Sequence, residues 1–261
     1  MAKKYALNLQ PLANPEAVIA GEHYRFTVLT DCLIRMEYQA EGRFVDEATQ
    51  RVLCRDFPVP AFRVLETEES LEIITDKLHL TYNKQPFTKE GLNIQLKGGF
   101  HIYGSAWAYG DEIRDLKGTA RTLDEADGAI PLEPGLMSRG GFTVMDDSTA
   151  AFIGQDQWPV AKTWESTDLY FFGYGHDYLQ CLKDFYRLSG PTPLLPRFAL
   201  GNWWSRYYKY TEESYLKLMD KFRDREIPFS TAVIDMDWHL VDIPKKYGSG
   251  WTGYTWDKEM F

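Results

Sequence analysis

The spacing of apolar residues changes once along this chain, and that change limits what it can fold into. Up to about residue 175 the period is two. Tyr24, Phe26 and Val28 alternate with polar neighbours, and Ile34, Met36 and Tyr38 do so around Arg35 and Glu37. Leu78, Leu80 and Tyr82 repeat the pattern around His79 and Thr81. Period two marks half-buried strands. Turn clusters separate the runs: Asn83-Lys84-Gln85-Pro86, Lys97-Gly98-Gly99, Arg139-Gly140-Gly141 and Asp146-Asp147-Ser148. Gly173-Tyr174-Gly175 is too short to carry a meaning. Many short strands with polar turns predict an antiparallel β-sandwich over residues 1–190.

Beyond residue 175 the period is helical. Tyr178, Leu179, Leu182, Phe185 and Tyr186 form a stripe that ends near Ser189-Gly190. Residues 191–196 hold three prolines in six positions, a stiff linker and the best domain boundary. From residue 197 the pattern is strand, helix, strand. Phe198–Trp203 is short and apolar enough for a buried strand. Thr211 caps a helix whose first turn carries Glu212 and Glu213. Tyr215, Leu218, Met219 and Phe222 are its buried stripe, and Ile227-Pro228 stops it. Thr231–Asp235 is β-branched and continuous, as parallel strands are. This is a βαβ unit, without the GxGxxG of a dinucleotide site, so no cofactor is expected.

One stretch fits neither period. Residues 104–141 form a long irregular loop rich in Gly, Asp, Glu and Pro, and compact domains rarely keep such a loop without a use for it. Its Trp107, Tyr109, Ile113, Leu116, Leu123, Ile130, Leu132, Leu136 and Met137 predict an ordered loop that buries them.

Composition narrows the function. A net charge of −9 argues against nucleic acid, which requires a basic face. No run of ~18 apolar residues exists, so no membrane helix is expected. Lys3-Lys4 has no apolar segment behind it, which argues against secretion and for a cytoplasmic protein. Cys32, Cys54 and Cys181 form no CxxC and read as reduced, buried side chains. Aromatic residues make up 15% of the chain. Their rings offer flat apolar faces to the C–H groups of a pyranose, although aromatics are core material first.

In parallel α/β folds, ligands bind at the carboxyl ends of the strands. Here the first strand runs into Trp203-Trp204-Ser205-Arg206-Tyr207-Tyr208 and the second into Asp235-Met236-Asp237-Trp238-His239. On a continuing strand, Asp235 and Asp237 would share a face, about 6–7 Å apart and pointing the same way. Retaining glycosidases need two carboxylates on opposite sides of the scissile bond. These two therefore read as binders of hydroxyls, with pairing to Arg206 or a lysine as the structural alternative. His239 has no second histidine at a metal spacing, so no metal site is expected and the residue is given no role. Asp146-Asp147 reads as a turn, since its acids precede Ser148 and follow the strand-like Phe142-Thr143-Val144.

Three segments then resemble the opening of the catalytic barrel of glycoside hydrolase family 31, the α-glucosidases and α-xylosidases. They are Leu200–Tyr207, Val233–Trp238 and Gly250–Glu259. Upstream, Leu116–Asp124 and Pro131–Arg139 are similar to the loop that the family's N-terminal domain sends over the active site. The resemblance implies a galactose-mutarotase-like β-sandwich followed by the first βα units of a (β/α)8 TIM barrel, at residues 197–261. It implies an α-linked oligosaccharide or glycoside as substrate and a retaining, double-displacement mechanism. By position, Asp235 matches the aspartate that holds the sugar in the −1 subsite. Tyr207 or Tyr208 matches an aromatic platform, and Asp237 and Trp238 fall on the wall between −1 and +1. The family's nucleophile and acid/base have no counterpart here. A whole barrel takes ~250 residues, so the chain is expected to stop before its catalysts, to be inactive alone, and to expose apolar faces after residue 197. Oligomeric state is open. The competing expectations are a non-enzymatic carbohydrate-binding module and a mutarotase. The second needs a His–Glu acid/base pair in the sandwich, and His23, His79, His101 and His176 sit in no motif that matches that role.

Overall fold

The computed structural model describes residues 6–98, 105–120, 122–192, 194–251 and 253–261. Gly99, His101, Gly104, Arg121 and Pro193, which figured in the sequence reading, lie outside them, as do Lys3 and Lys4. The chain divides into two compact units, Met1–Thr192 and Pro193–Phe261. Among the described residues no helix is long and apolar enough to cross a membrane.

The first unit opens with β1 (Val18–Ala20), β2 (Tyr24–Val28) and β3 (Leu33–Tyr38). A five-strand antiparallel meander follows: β4 (Phe62–Glu66), β5 (Leu71–Thr75), β6 (Leu78–Tyr82), β7 (Leu92–Leu96) and β8 (Ser105–Ala108). Then come β9 (Thr143–Asp146), the hairpin β10 (Phe152–Ile153) and β11 (Pro159–Val160), β12 (Thr167–Phe172) and helix α1 (Tyr178–Ser189). The first sheet has the order β1-β2-β3-β12-β9, with Met36 opposite both Phe26 and Leu169. Phe26, Ile34, Met36 and Phe171 meet Ile73, Leu80, Ile94 and Trp107 of the meander in one core. The period-two residues are therefore the inner faces of two packed antiparallel sheets.

The first sheet is covered on its other face too. Leu33, Tyr170 and Phe172 pack there against Val52, Phe57, Cys181 and Leu188, a second core closed by α1. The helix ends as the sequence indicates, at Gly190 with φ +86°. The half-buried reading of β3 is thus corrected, since Arg35 and Glu37 are buried with their apolar neighbours. They are tolerated because they are paired. Arg35 Nε and Nη2 donate to the two carboxylate oxygens of Asp168 at 2.9 and 2.6 Å. Arg25 grips Glu37 in the same bidentate way, at 2.6 and 2.9 Å, and both arginines donate to the Val45 carbonyl. Burial alone would raise the Asp168 pKa, but the Arg35 charge and hydrogen bonds, with the Arg55 and Lys162 charges, together outweigh it and hold the carboxyl below its usual range.

Asp146-Asp147 leads into a turn as the sequence indicates, since Asp146 ends β9 and Ala150 N–H closes on the Asp147 carbonyl at 3.1 Å, but Asp147 itself is buried. Its backbone N–H donates to the Asp168 carbonyl at 2.8 Å, which draws it under the sheet instead of out to water. The three cysteines are free, with Cys32 and Cys181 buried. Burial pushes the Cys181 thiol up to about 12.

The long loop is an arm with two zipped legs. Leu116 N–H donates to Met137, Gly118 to Glu133 and Glu133 to Thr119, each through the backbone. The Asp115 carboxylate ties the base by accepting from Gly135 N–H at 2.7 Å and Lys117 N–H at 3.1 Å. A side chain at Gly135 would meet the Lys117 carbonyl at 2.5 Å, so the legs approach this closely only through glycine. The irregular loop is shorter than the sequence suggests, since Ser105–Ala108 is β8, and its apolar residues are not all buried. Trp107 is covered, whereas Leu116, Leu123 and Leu132 are exposed.

The second unit is built on β13 (Trp203–Trp204), α2 (Glu212–Asp224) and β14 (Thr231–Ala232), with the two strands parallel. Thr211 caps α2 in a capping box with Ser214. Tyr215 Oη donates to the Val233 carbonyl at 2.8 Å, and Trp204 meets Phe222 edge-on at 4.7 Å, so the helix lies on the strand pair. The βαβ order stands, but the strands are shorter than expected. Arg197–Leu200 is a turn of 3-10 helix, held by Trp203 Nε1 donating back to the Ala199 carbonyl at 3.2 Å. Pairing starts only where Gly201 lets the backbone pass Ser230, whose hydroxyl a Cβ there would meet at 1.8 Å. Leu194, Leu200, Trp203 and Leu216 are exposed.

Candidate functional site

Beyond β14 the chain keeps a looser register. Val233 N–H donates to the Trp204 carbonyl at 2.9 Å, and Met236 bridges to Lys209. At Asp237 the backbone turns left-handed, with φ +57°. That turn corrects the expectation of a straight strand with Asp235 and Asp237 alternating on one face. Both aspartates nonetheless line one cavity of about 240 Å³, together with Met236, Trp238, His239, Trp251, Gly253 and Tyr254.

The far wall comes from a return of the chain. Leu240 N–H donates to Thr255 at 2.8 Å, Asp257 N–H to Trp238 at 3.0 Å, and His239 bridges to Trp256. This short antiparallel pairing brings Trp251, Gly253 and Tyr254 back to Asp235. Gly250 makes the return possible. Its φ is +77°, and a side chain there would meet the Val241 carbonyl at 2.2 Å. Trp238 is wedged among His239, Tyr254 and Trp256 at ring distances of 4.9, 5.9 and 5.3 Å.

The two carboxylates differ. Asp237 lies 3.7 Å from the Lys209 ammonium and is mostly covered, the structural pairing that the sequence allowed. Asp235 is exposed to the cavity and makes no salt bridge among the described residues. Tyr207 reaches the cavity wall through Trp251, ring to ring at 6.4 Å. Tyr208 turns instead to Tyr210 at 4.6 Å and carries the Arg206 guanidinium on its ring. His239, left without a role by the sequence, is a buried lining residue. Sequence reasoning gave no role to Met236, Trp251 and Tyr254. The glycines at 248 and 250, which allow the chain to double back, were the available signal. Among the described residues no group of three or more His, Cys, Asp or Glu could hold a metal. One carboxylate open to a cavity walled by indole and phenol rings can accept hydroxyl hydrogen bonds while the rings cover an apolar face.

The model of the glycosyl hydrolases family 31 TIM-barrel domain matches residues 192–261, the stretch that contains this whole cavity. The match supports reading the chain as a fragment of a glycoside hydrolase family 31 protein. It is 27% identical over 150 residues to an alpha-xylosidase of Saccharolobus solfataricus, covering 56% of this chain and 19% of the relative. With alpha-glucosidase 2 of Bacillus thermoamyloliquefaciens it shares 24% over 240 residues, 76% of this chain and 29% of the relative. Among solved structures it is similar to a family 31 dextranase of Flavobacterium johnsoniae complexed with isomaltotriose. That TM-score is 0.53 at 17% identity, over 85% of this chain and 32% of the dextranase, a likeness of fold. The chain thus spans less than a third of the length of these relatives.

Proposed function

We propose that this chain is the N-terminal part of a retaining α-glycosidase. In this reading the two packed sheets are the galactose-mutarotase-like sandwich and the βαβ unit opens the (β/α)8 barrel. The substrate is an α-linked glucoside, xyloside or related glycoside. The observation that carries the reading is the cavity after β14, where Asp235, Trp238 and Trp251 converge within the family-matched segment.

Asp235 accepts hydroxyl hydrogen bonds of the sugar in the −1 subsite, and Trp238 and Asp237 form the wall toward +1. Tyr207 is the aromatic platform, because its ring, and not that of Tyr208, turns to Trp251. Asp237 is held by Lys209 and only Asp235 stands free in the cavity, so the two do not supply both a nucleophile and an acid/base. The nucleophile and acid/base belong to barrel strands outside residues 1–261. A free-standing sugar-binding module has no use for a βαβ unit, which favours the enzyme. The protein is proposed to be cytoplasmic.

Two measurements test this. The chain 1–261, incubated with 4-nitrophenyl α-D-glucoside and α-D-xyloside, is expected to release no nitrophenol. Turnover that vanishes in Asp235→Asn would overturn the assignment of Asp235 as a binder only. In the whole enzyme, Asp235→Ala is expected to cut kcat/KM at least a hundredfold, and an unchanged value would overturn the −1 assignment.

A further inference from the structure

We propose that the first unit carries a second carbohydrate site, at the free edges of its two sheets. β8 and β9 each pair with a single strand, so each is an edge. Between them lies a cleft of about 450 Å³, inside the ~300–1,000 Å³ range of small-ligand sites. Trp107 and Leu169 are its buried floor, and Tyr109 and Ile113, both half-buried, form one apolar side. Gly110 turns the lip with φ +84° and open space around it.

The polar groups define the ligand. Asp111 is spent, with one oxygen on Lys89 Nζ at 2.6 Å and the other on Ala108 N–H at 3.0 Å. Asp146 uses one oxygen for Ser148 N–H at 2.8 Å and is otherwise exposed to the cleft. Ser148 Oγ accepts from Asp168 N–H at 3.0 Å, which leaves its own hydrogen to donate. The Thr167 hydroxyl has no hydrogen bond among the described residues. A ring, a carboxylate oxygen and two hydroxyls suit a neutral polyol. One uncompensated carboxylate repels an anion and is too little charge to hold a cation in water.

A second cleft shares part of this lining. Val144 and Asp146 line a neighbouring cleft of about 630 Å³ on the other side of β9, with Arg51, Glu133 and Phe185. A groove that crosses an edge strand fits an oligosaccharide better than a single sugar. That the oligosaccharide is α-linked rests on the proposed function; the site itself does not. The groove would hold a polymeric or branched substrate to the first unit.

The test is ligand-observed NMR with the chain 1–261 and isomaltotriose or maltotriose up to about 20 mM, enough to detect a Kd of ~1 mM. Asp235→Ala silences the cavity of the second unit. Binding is expected to persist in Asp235→Ala and to weaken at least fivefold in Asp235→Ala/Thr167→Val and Asp235→Ala/Asp146→Asn. Both added substitutions are near-isosteric, and the Asn oxygen still accepts from Ser148. Loss of binding in Asp235→Ala alone overturns the second site, as does unchanged affinity in both double variants. Absence of binding by the parent chain overturns it too, while the hydrolysis tests of the proposed function stand or fall separately.

Discussion

Asp147 should give the first unit a stability that falls as pH rises from 4 to 7, opposite to the usual effect of a carboxylate. The residue is 1% exposed. One oxygen accepts from Thr49 Oγ1 at 2.8 Å, and Oδ1 has no partner among the described residues. Burial first, and the Asp168 charge second, push its pKa up to about 6 from an ordinary 3.8. Between those values the folded state holds a proton that the unfolded chain has released. The contribution is therefore fully present below about 3.8 and lost as pH climbs through about 6. A shift of some two pH units corresponds to about 3 kcal/mol in all, of which about 2 kcal/mol falls between pH 4.5 and 7.5.

Asp147→Asn removes the titration and keeps the shape. Its amide leaves a buried N–H₂ without a partner, a cost of ~1–3 kcal/mol that does not depend on pH. The decisive quantity is thus the pH dependence of the difference between variant and parent. Hydrogen-exchange protection of the β3 and β12 amides reads it from the first unit alone. Relative to the parent, Asp147→Asn should gain about 2 kcal/mol between pH 4.5 and 7.5. Carboxylates with lowered pKa, such as Asp115 and Glu66, act in the opposite sense at lower pH and cancel in the difference. A flat difference, or one that shrinks with pH, would refute the reasoning.

Two further outcomes follow from other residues of the same unit. Asp168→Ala strands the buried Arg35 guanidinium, whose other carboxylate, Glu37 at 3.0 Å, already serves Arg25, and should cost about 3–5 kcal/mol in urea unfolding. The double variant Arg35→Met/Asp168→Leu should recover much of that loss. Asp115→Ala unclips the base of the arm, and limited thermolysin digestion should cut within residues 120–132 several times faster. The exchange protection of β3 should stay unchanged, and an unaltered cleavage rate would mean that the backbone bonds alone hold the legs together.

What the sequence made legible was local. Alternation at Tyr24–Val28, Ile34–Tyr38 and Leu78–Tyr82 reports one buried face, and the strands are there. The same signal cannot say whether the polar face meets water, because a paired Arg35 or Glu37 inside is written with the same letters as a solvated one. Only β12, more than a hundred residues away, supplies Asp168, and the segment at Val45 closes the lid. The burial of Asp147 was hidden for that reason: two acids before a serine mark a turn, and nothing local says that a distant backbone carbonyl claims one of them.

The candidate site shows the same division. Asp235, Asp237 and Trp238 were legible as neighbours because they follow the end of a strand, and the structure brings all three to one cavity. Trp251 and Tyr254 come from a loop whose return depends on Gly250 fitting against Val241, a steric fact that no periodicity encodes. The left-handed turn at Asp237 has a further consequence. Position and partner there are joined, since Lys209 at 3.7 Å lies on the segment that Met236 bridges. Asp237 is thereby tied to a neighbouring segment, while Asp235 stays open to the cavity. A binding carboxylate must be free to accept hydroxyls, so the residue with the fewest internal obligations is the one to which the sugar contact is assigned.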